Sequence, residues 1–459
     1  MALLIQNGTI VTARKKFRGD IYCANEKITR IGKRLRVPDK ATVVDATGQF
    51  VFPGFIDPHV HIYLPVMGTQ AKDTYESASQ AAVTSGTTTL IEMCTPSRRQ
   101  PVLKSFERWL GRAEGKSACD FTFHMGVARY DKTSVAELRK IVDAGISSFK
   151  IYLAYKGAYA LNDYELYHVM RMAKEWGVIV TAHCENADIV AELQKKLIHE
   201  GKTGTKWHYW SRPPMVEAGG VRRLASFAEV HGTHVYVVHT SCREALQAAL
   251  DARSRGVNIW IEHLIQHLTL DQTFAERSRF QGAKYIMSPP LRDKGNHAAL
   301  WKALAGGESS TVASDHAPFD FKDQKQAGRH DFTKIPSGLP TLEHRIPLLW
   351  TRGVCEGRLN LHRFVDVAST QAAKIFGLYP RKGAIAVGSD ADLVVWDPSY
   401  NGRISARKQY MNVDYNPFEG WPVKGRASTV TVRGEIVAEA GRFTGRLGRG
   451  QLLRREPNH

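Results

Sequence analysis

The sequence predicts an α/β fold: a (β/α)8 TIM-like barrel with a second, smaller β-sandwich domain built from both chain ends. Three observations predict it. The chain has 459 residues, and at roughly 150 residues per domain that is about three structural units, or one large barrel with attachments. Between positions 53 and 374, short β-branched runs alternate with long helical stretches, the rhythm of parallel βαβ units. At both ends short β-like runs occur with turn signals and without helices.

The first runs, at 3–5, 9–12, 21–23, 28–31 and 42–44, are punctuated by Asn-Gly, Arg-Gly-Asp and Ala-Thr-Gly, which predicts a small antiparallel sheet. Strand candidates then follow at 52–62, 87–93, 121–127, 148–154, 179–183, 235–239, 257–262 and 311–314. Between them helices are expected at 75–85, 134–144, 163–176, 188–200 and 243–255. Eight strands spread over about 260 residues match the size of a (β/α)8 barrel. Past Phe376 the short strands return, at 392–396, 428–432 and 435–440. The expected division is therefore a sandwich part at 1–52, the barrel at 53–374, the rest of the sandwich at 375–440 and a basic C-terminal arm at 441–459.

Composition excludes several classes. An apolar fraction of 43% and a charged fraction of 24% describe a globular chain rather than a disordered or collagen-like one. No 18 apolar residues run together, so no membrane span is expected. The opening Met-Ala-Leu-Leu-Ile-Gln-Asn-Gly lacks the basic start and long apolar core of a signal peptide, and the six cysteines form no Cys-x-x-Cys pair. A cytoplasmic chain with reduced thiols is the expectation. The net charge of +18 points first to a polyanion. Yet residues 1–52 carry +6 and 375–459 carry +5, against +7 over the 322 residues between them. With no nucleic-acid motif present, the excess is read as a peripheral solubility or subunit-contact surface, with Arg442, Arg446, Arg449, Arg454 and Arg455 crowded at the end. Neither nucleic acid nor membrane is expected as a partner.

The chemistry is concentrated in a few side chains. In Asp57-Pro58-His59-Val60-His61 two histidines at i and i+2 on a strand face the same way and can reach one metal ion. Lys150, His183, His239 and Asp315 each follow an apolar β-branched run and precede a loop. That places them at the carboxyl ends of strands, where barrel active sites assemble. Four imidazoles and a carboxylate suit zinc or a similar divalent ion, and five such groups at one mouth suit two ions if an anion bridges them. Lys150 fits beside two cations only if it is not a cation itself; a lysine that has reacted with carbon dioxide becomes a carbamate with two ligand oxygens. The alternative for Lys150 is a strand-end lysine that snorkels or pairs with an acid.

Further motifs cover almost the whole chain: Gly54-Phe55-Ile56 ahead of Asp57, Leu64-Pro65-Val66-Met67-Gly68-Thr69, Ser148-Phe149-Lys150, Ala154-Tyr155-Lys156-Gly157, Ser211-Arg212-Pro213-Pro214, Ser314-Asp315-His316 and Asn412-Val413-Asp414-Tyr415. With these the sequence resembles the hydantoinase and dihydropyrimidinase branch of the cyclic amidohydrolases, within the metal-dependent amidohydrolase superfamily. The resemblance implies a binuclear Zn2+ centre, with His59, His61 and Asp315 on one ion, His183 and His239 on the other, and N6-carboxylated Lys150 and a hydroxide bridging them. It implies that Asp315 acts as general base and then acid, that Tyr155 steadies the developing oxyanion, and that main-chain groups near Ser288 and Ser337 hold the ring amide of a small neutral cyclic substrate. The implied product is an N-carbamoyl amino acid, and the implied assembly a homotetramer or homodimer.

Three departures from the family pattern stand out. Ser337 occupies a position where Asn is usual, with Thr341 in place of a common Gly; the stretch 261–267 has lost most of a Thr-Cys-Pro-Gln-Tyr motif; and Ala317 replaces a frequent Cys. The last two read as packing changes within the core, whereas Ser337 bears on ring preference. Allantoinase is the alternative within enzymes. Dihydroorotase is disfavoured because Ile62-Tyr63-Leu64-Pro65 offers no cation after the His-x-His. A metal-free oligomeric scaffold related to dihydropyrimidinase would show gaps among the six ligand positions, and none is present. The other histidines are read as surface or core groups, with His316 turned away from the mouth if Asp315 points in.

Overall fold

The computed structural model describes residues 2–36 and 40–457. At the N-terminus β1 (Ala2–Val11), β2 (Lys16–Ala24), β3 (Lys27–Gly32), β4 (Thr42–Asp45) and β5 (Phe50–Pro53) build a sheet. The runs at 3–5 and 9–12 are one strand, not two. Asn7 takes φ 64° and the register with β2 shifts between Ile5 and Gly8, so the Asn-Gly signal marks a bulge rather than a turn. The sheet is also mixed, because β4 and β5 both run parallel to β1. β4 pairs with the first half of β1, at Leu3 to Gln6, and β5 with the second, at Thr9 and Ile10.

Gly54 is the crossing point between the two units. A Cβ there would sit 2.1 Å from Thr88 Oγ1, so only glycine lets the chain pass from β5 into β6 (Phe55–Val60). The expected strand 52–62 is therefore split between two sheets. A short hairpin of β7 (Pro65–Val66) and β8 (Thr69–Gln70) follows β6. Then come β9 (Thr87–Cys94), β10 (Asp120–Gly126), β11 (Ser148–Tyr152), β12 (Ile179–His183), β13 (Val235–Val237), β14 (Ile259–Leu264) and β15 (Thr311–Ala313), all parallel. A parallel bridge between Val60 and His316 closes β6 onto the end of β15. Nearly every residue of β6 and β9 to β15 is buried, as expected of strands covered by side chains inside and helices outside. The helices Tyr75–Thr84, Lys132–Asp143, Asp163–Glu175, Ala187–His199 and Arg243–Ser254 fall where the sequence places them. Three begin with a capping box, at Thr74, Asp131 and Asn162.

After the barrel, β16 (Leu393–Arg403), β17 (Pro422–Val432), β18 (Glu435–Glu439) and β19 (Arg442–Phe443) join the first sheet, β16 pairing antiparallel with β5. Both chain ends thus share one sheet over a small core of Leu3, Ile5, Ile10, Ile21, Val51, Leu393 and Val395. Lys382, buried, ties the two units together by donating to Asp120 at 2.6 Å and Asp392 at 2.7 Å.

The tail differs from the exposed basic arm expected from composition. Its backbone is extended but packed under the barrel: Leu452 bridges Phe121, Leu453 is fully buried and Arg455 is 2% exposed. The Arg455 guanidinium donates to the Phe123 carbonyl at 2.5 Å and to Ser148 Oγ at 2.9 Å. Arg449 donates to Glu435 at 2.6 Å and to the Val432 carbonyl. These arginines satisfy carbonyls left by strand ends, so part of the terminal charge is internal. The last two positions of the arm, 458 and 459, lie outside the described residues. No helix among those described is long and apolar enough to cross a membrane.

Candidate active site and metal centre

The carboxyl ends of the strands bring the histidines together. His59 Nε2 and His61 Nε2 lie 3.2 Å apart, and Asp315 Oδ1 is 3.0 Å from the first and 3.2 Å from the second. The hydrogen bonds that close the barrel set this geometry: Asp315 N–H donates to the His59 carbonyl at 2.9 Å and His61 N–H to the His316 carbonyl at 2.8 Å. His183 Nδ1 faces His239 Nε2 at 2.9 Å, and the His59 and His239 ring centroids stand 5.5 Å apart. Lys150, 1% exposed, faces Gly126 and Thr181 on its neighbouring strands. His239, Asp315 and Tyr155 adopt φ of 43°, 47° and 65°. Such left-handed conformations are uncommon for these residue types and cluster at functional sites.

Buried carboxylates orient the rings. Glu262 Oε1 lies 2.8 Å from His59 Nδ1, which anchors Nδ1–H to the carboxylate and turns Nε2 toward the cluster. Glu185 Oε2 does the same for His183 through Nε2 at 2.8 Å, leaving Nδ1 free to ligate. Burial would raise the Glu185 carboxyl, but Arg212, 2.5 Å away, and His183 outweigh it and hold it near 2. Desolvation lowers His61 to about 4 and also depresses His183 and His239, so these imidazoles are neutral, the form that binds metal. At His59 desolvation is overcome by Glu262 and Asp315 together, and the ring rises to about 9. Desolvation likewise lowers Lys150 to about 8 and lifts the Tyr155 phenol to about 12.

A cavity of about 710 Å³ opens above the cluster, within the range of small-molecule sites. His61, Lys150, His183, His239 and Asp315 form its floor. Tyr155, Ser288 and Ser337 stand on its wall, the two serine hydroxyls 3.0 Å apart. Leu64, Val66, Met67, Tyr159, Phe332 and Ile335 make the rim apolar. Arg212 is paired with Glu185, and Lys156 with Asp188 at 2.6 Å.

A model of the amidohydrolase family matches residues 50–437. The chain belongs to this family. It is 57% identical to a solved D-hydantoinase (dihydropyrimidinase) from Thermus sp., with 99% of each chain covered and a TM-score of 0.98. A dihydropyrimidinase structure from Brevibacillus agri matches at 41% identity over 100% of this chain and 99% of that one, also with a TM-score of 0.98. A D-hydantoinase from Geobacillus stearothermophilus is 44% identical over 99% of this chain and 97% of its own. Amidohydrolase membership implies a binuclear metal centre. The residues fit one: His59, His61 and Asp315 place three ligand atoms within 4.8 Å of one another, and His183 and His239 direct neutral nitrogens at a second point.

Glu262 and Glu185 escape sequence reasoning. The stretch 261–267 reads as core packing, yet Glu262 accepts from His59, from His239 N–H and from the Tyr236 hydroxyl, each at 2.8 Å. Ala317 likewise lines the cavity instead of merely filling the core. The Ser211-Arg212-Pro213-Pro214 motif acquires a role too: its arginine braces Glu185 and lies 5.8 Å over the Tyr155 ring. The one available signal for either glutamate was an acid beside or within an apolar β run. His316, as expected, turns away, with Nε2 2.7 Å from Asp73.

Proposed function

We propose that this chain hydrolyses the cyclic amide bond of a hydantoin or dihydropyrimidine to an N-carbamoyl amino acid. His59, His61 and Asp315 would hold one divalent ion, zinc by ligand chemistry, and His183 and His239 a second. Carboxylated Lys150 would supply anionic oxygens to this centre: the ammonium first gives up a proton, the neutral amine attacks carbon dioxide, a C–N bond forms and a second proton leaves, so an anion replaces the buried cation. Two such ions supply Lewis acidity and bring the pKa of water toward neutrality.

The protein's own groups do the rest. The ring amide lies against the main chain near Ser288 and Ser337. Tyr155, held as a phenol by burial, donates to the carbonyl oxygen as negative charge develops there. Asp315 accepts the proton of the attacking water as the new C–O bond forms. It returns that proton to the ring nitrogen as the C–N bond breaks. The observation that carries this reading is the convergence of six ligand-type residues beneath a cavity whose Arg212 and Lys156 are already paired, which favours a neutral ring over an anionic substrate.

The test is metal content per chain together with turnover of hydantoin, dihydrouracil and allantoin. Two metals and ring opening of the first or second are expected; dominant allantoin turnover would favour the alternative. A protein that stays metal-free and inactive after zinc and bicarbonate are supplied would sink the proposal. Lys150→Ala is expected to lose at least one metal with its fold retained, and full occupancy in that variant would refute the carbamate.

A further inference from the structure

Lys325 is fully buried outside the ligand cluster, and among the described residues no carboxylate forms an ion pair with it. Burial alone pushes its pKa down to about 7. A buried amine of this kind is unfavourable unless its hydrogen bonds are made. Its Nζ donates to the Pro336 carbonyl at 2.9 Å and to the Ile286 carbonyl at 3.3 Å. These acceptors belong to separate segments: one immediately precedes Ser337, and the other lies two residues before Ser288. The same segments touch through Gly338 N–H to the Ile286 carbonyl at 3.0 Å and through the Ser288 and Ser337 hydroxyls. His208 Nε2 lies 2.7 Å from the Met287 carbonyl and supports the 286–288 segment from another side.

The lysine reaches these carbonyls from behind the loop. It lies in the 3-10 turn Gln324–Gly328, whose entry is fixed by Lys325 N–H donating to the Asp320 carbonyl at 2.9 Å. The turn ends against Ile335, since a Cβ on Gly328 would fall 2.1 Å from Ile335 Cγ1. Ile286, Phe332 and Ile335 pack in one small cluster, of which Phe332 and Ile335 also line the cavity. Lys325 itself does not line the cavity, so it cannot touch substrate.

We infer that Lys325 is a positioning residue for substrate recognition, clamping the 286–288 and 336–338 backbones at the spacing from which their main-chain groups grip the ring amide. This rests on the proposed role of those two segments. A single donor bridging both carbonyls sets their separation more directly than the apolar cluster, which is non-directional.

The experiment has two arms on the metal-loaded protein. In the first, hydrogen exchange of the wild type is followed with and without imidazolidin-2-one, a cyclic urea that lacks the scissile amide. Slowed exchange over 286–288 and 336–338 is expected, and its absence would overturn the role of the segments themselves. In the second, Lys325→Met keeps the aliphatic stem and removes the donor. Its KM for the cyclic substrate is expected to rise about tenfold while kcat stays within about twofold, the pattern of lost uniform binding. Metal content should remain as in the wild type. Protection in the first arm with an unchanged KM in the second, or a fall in kcat or metal with KM unmoved, would overturn the inference about Lys325 alone. Should Lys325→Met fail to fold, Lys325→Gln is judged by the same split.

Discussion

Replacing Glu262 with Gln separates the charge of this carboxylate from its shape. Oε1 accepts from His59 Nδ1–H and His239 N–H, both at 2.8 Å, and Oε2 accepts from the Tyr236 hydroxyl at 2.8 Å. A glutamine can keep its oxygen at the first position and turn its amide toward Tyr236, whose hydroxyl lies close to Thr311 Oγ1 and can accept instead. Every hydrogen bond then survives, and only the negative charge is lost. The variant should fold. Without the charge, His59 Nδ1–H is less polarised and Nε2 a weaker donor to a metal, an effect worth about 10–100-fold in affinity for groups behind a ligating histidine. That is about 1.4–2.8 kcal/mol. Glu262→Leu removes both acceptor oxygens and the three hydrogen bonds they take, and should also lose stability, by about 1–3 kcal/mol for each buried donor left unsatisfied. The assay is metal affinity by competition with a chelator, read beside the thermal midpoint. If Glu262→Gln binds metal as tightly as the wild type, the orienting role assigned to this carboxylate is wrong.

Two further outcomes follow from buried groups that do not line the cavity. Glu92, under Tyr75 and Trp109, has a carboxyl that desolvation raises to about 8 against hydrogen bonds from both neighbours. A carboxyl raised in the folded state adds stability that is fully present below its unfolded pKa of about 4.5 and is lost as pH rises through about 8. Glu92→Gln, which mimics the protonated acid, should match the wild type near pH 4.5 and become more stable than it toward pH 8; parallel melting temperatures across that window would refute the shift. Arg455→Met leaves the Phe123 carbonyl and Ser148 Oγ without their donor. It should lower stability by about 1–3 kcal/mol, measured by urea unfolding, and an unchanged midpoint would show that the tail is not held by this contact.

The barrel and the side chains gathered at its mouth were legible in the sequence for a local reason. A β-branched run that ends in His, Lys or Asp states both the element and the end of it on which the side chain stands, and His59, Lys150, His183, His239 and Asp315 all sit at such ends. The continuity of β1 was not legible, because Asn-Gly is compatible with a turn or a bulge and only pairing with β2 decides between them. Strand 52–62 was seen as one element since nothing local announces that the chain changes sheets at Gly54.

The sequence by itself therefore determined the architecture, the membership of the amidohydrolase family and the residue types available to two metal ions. Tertiary structure alone decided which groups hold them in place. Glu262 meets His59 across 203 positions of sequence, and Lys382 meets Asp120 across 262. Periodicity reports the face a side chain occupies, but not its neighbour once a ring of eight strands has closed. Arg455 shows the same limit from the other side. Composition counted it among surface charges, and only the packed barrel shows that its charge lies among carbonyls at the closed end.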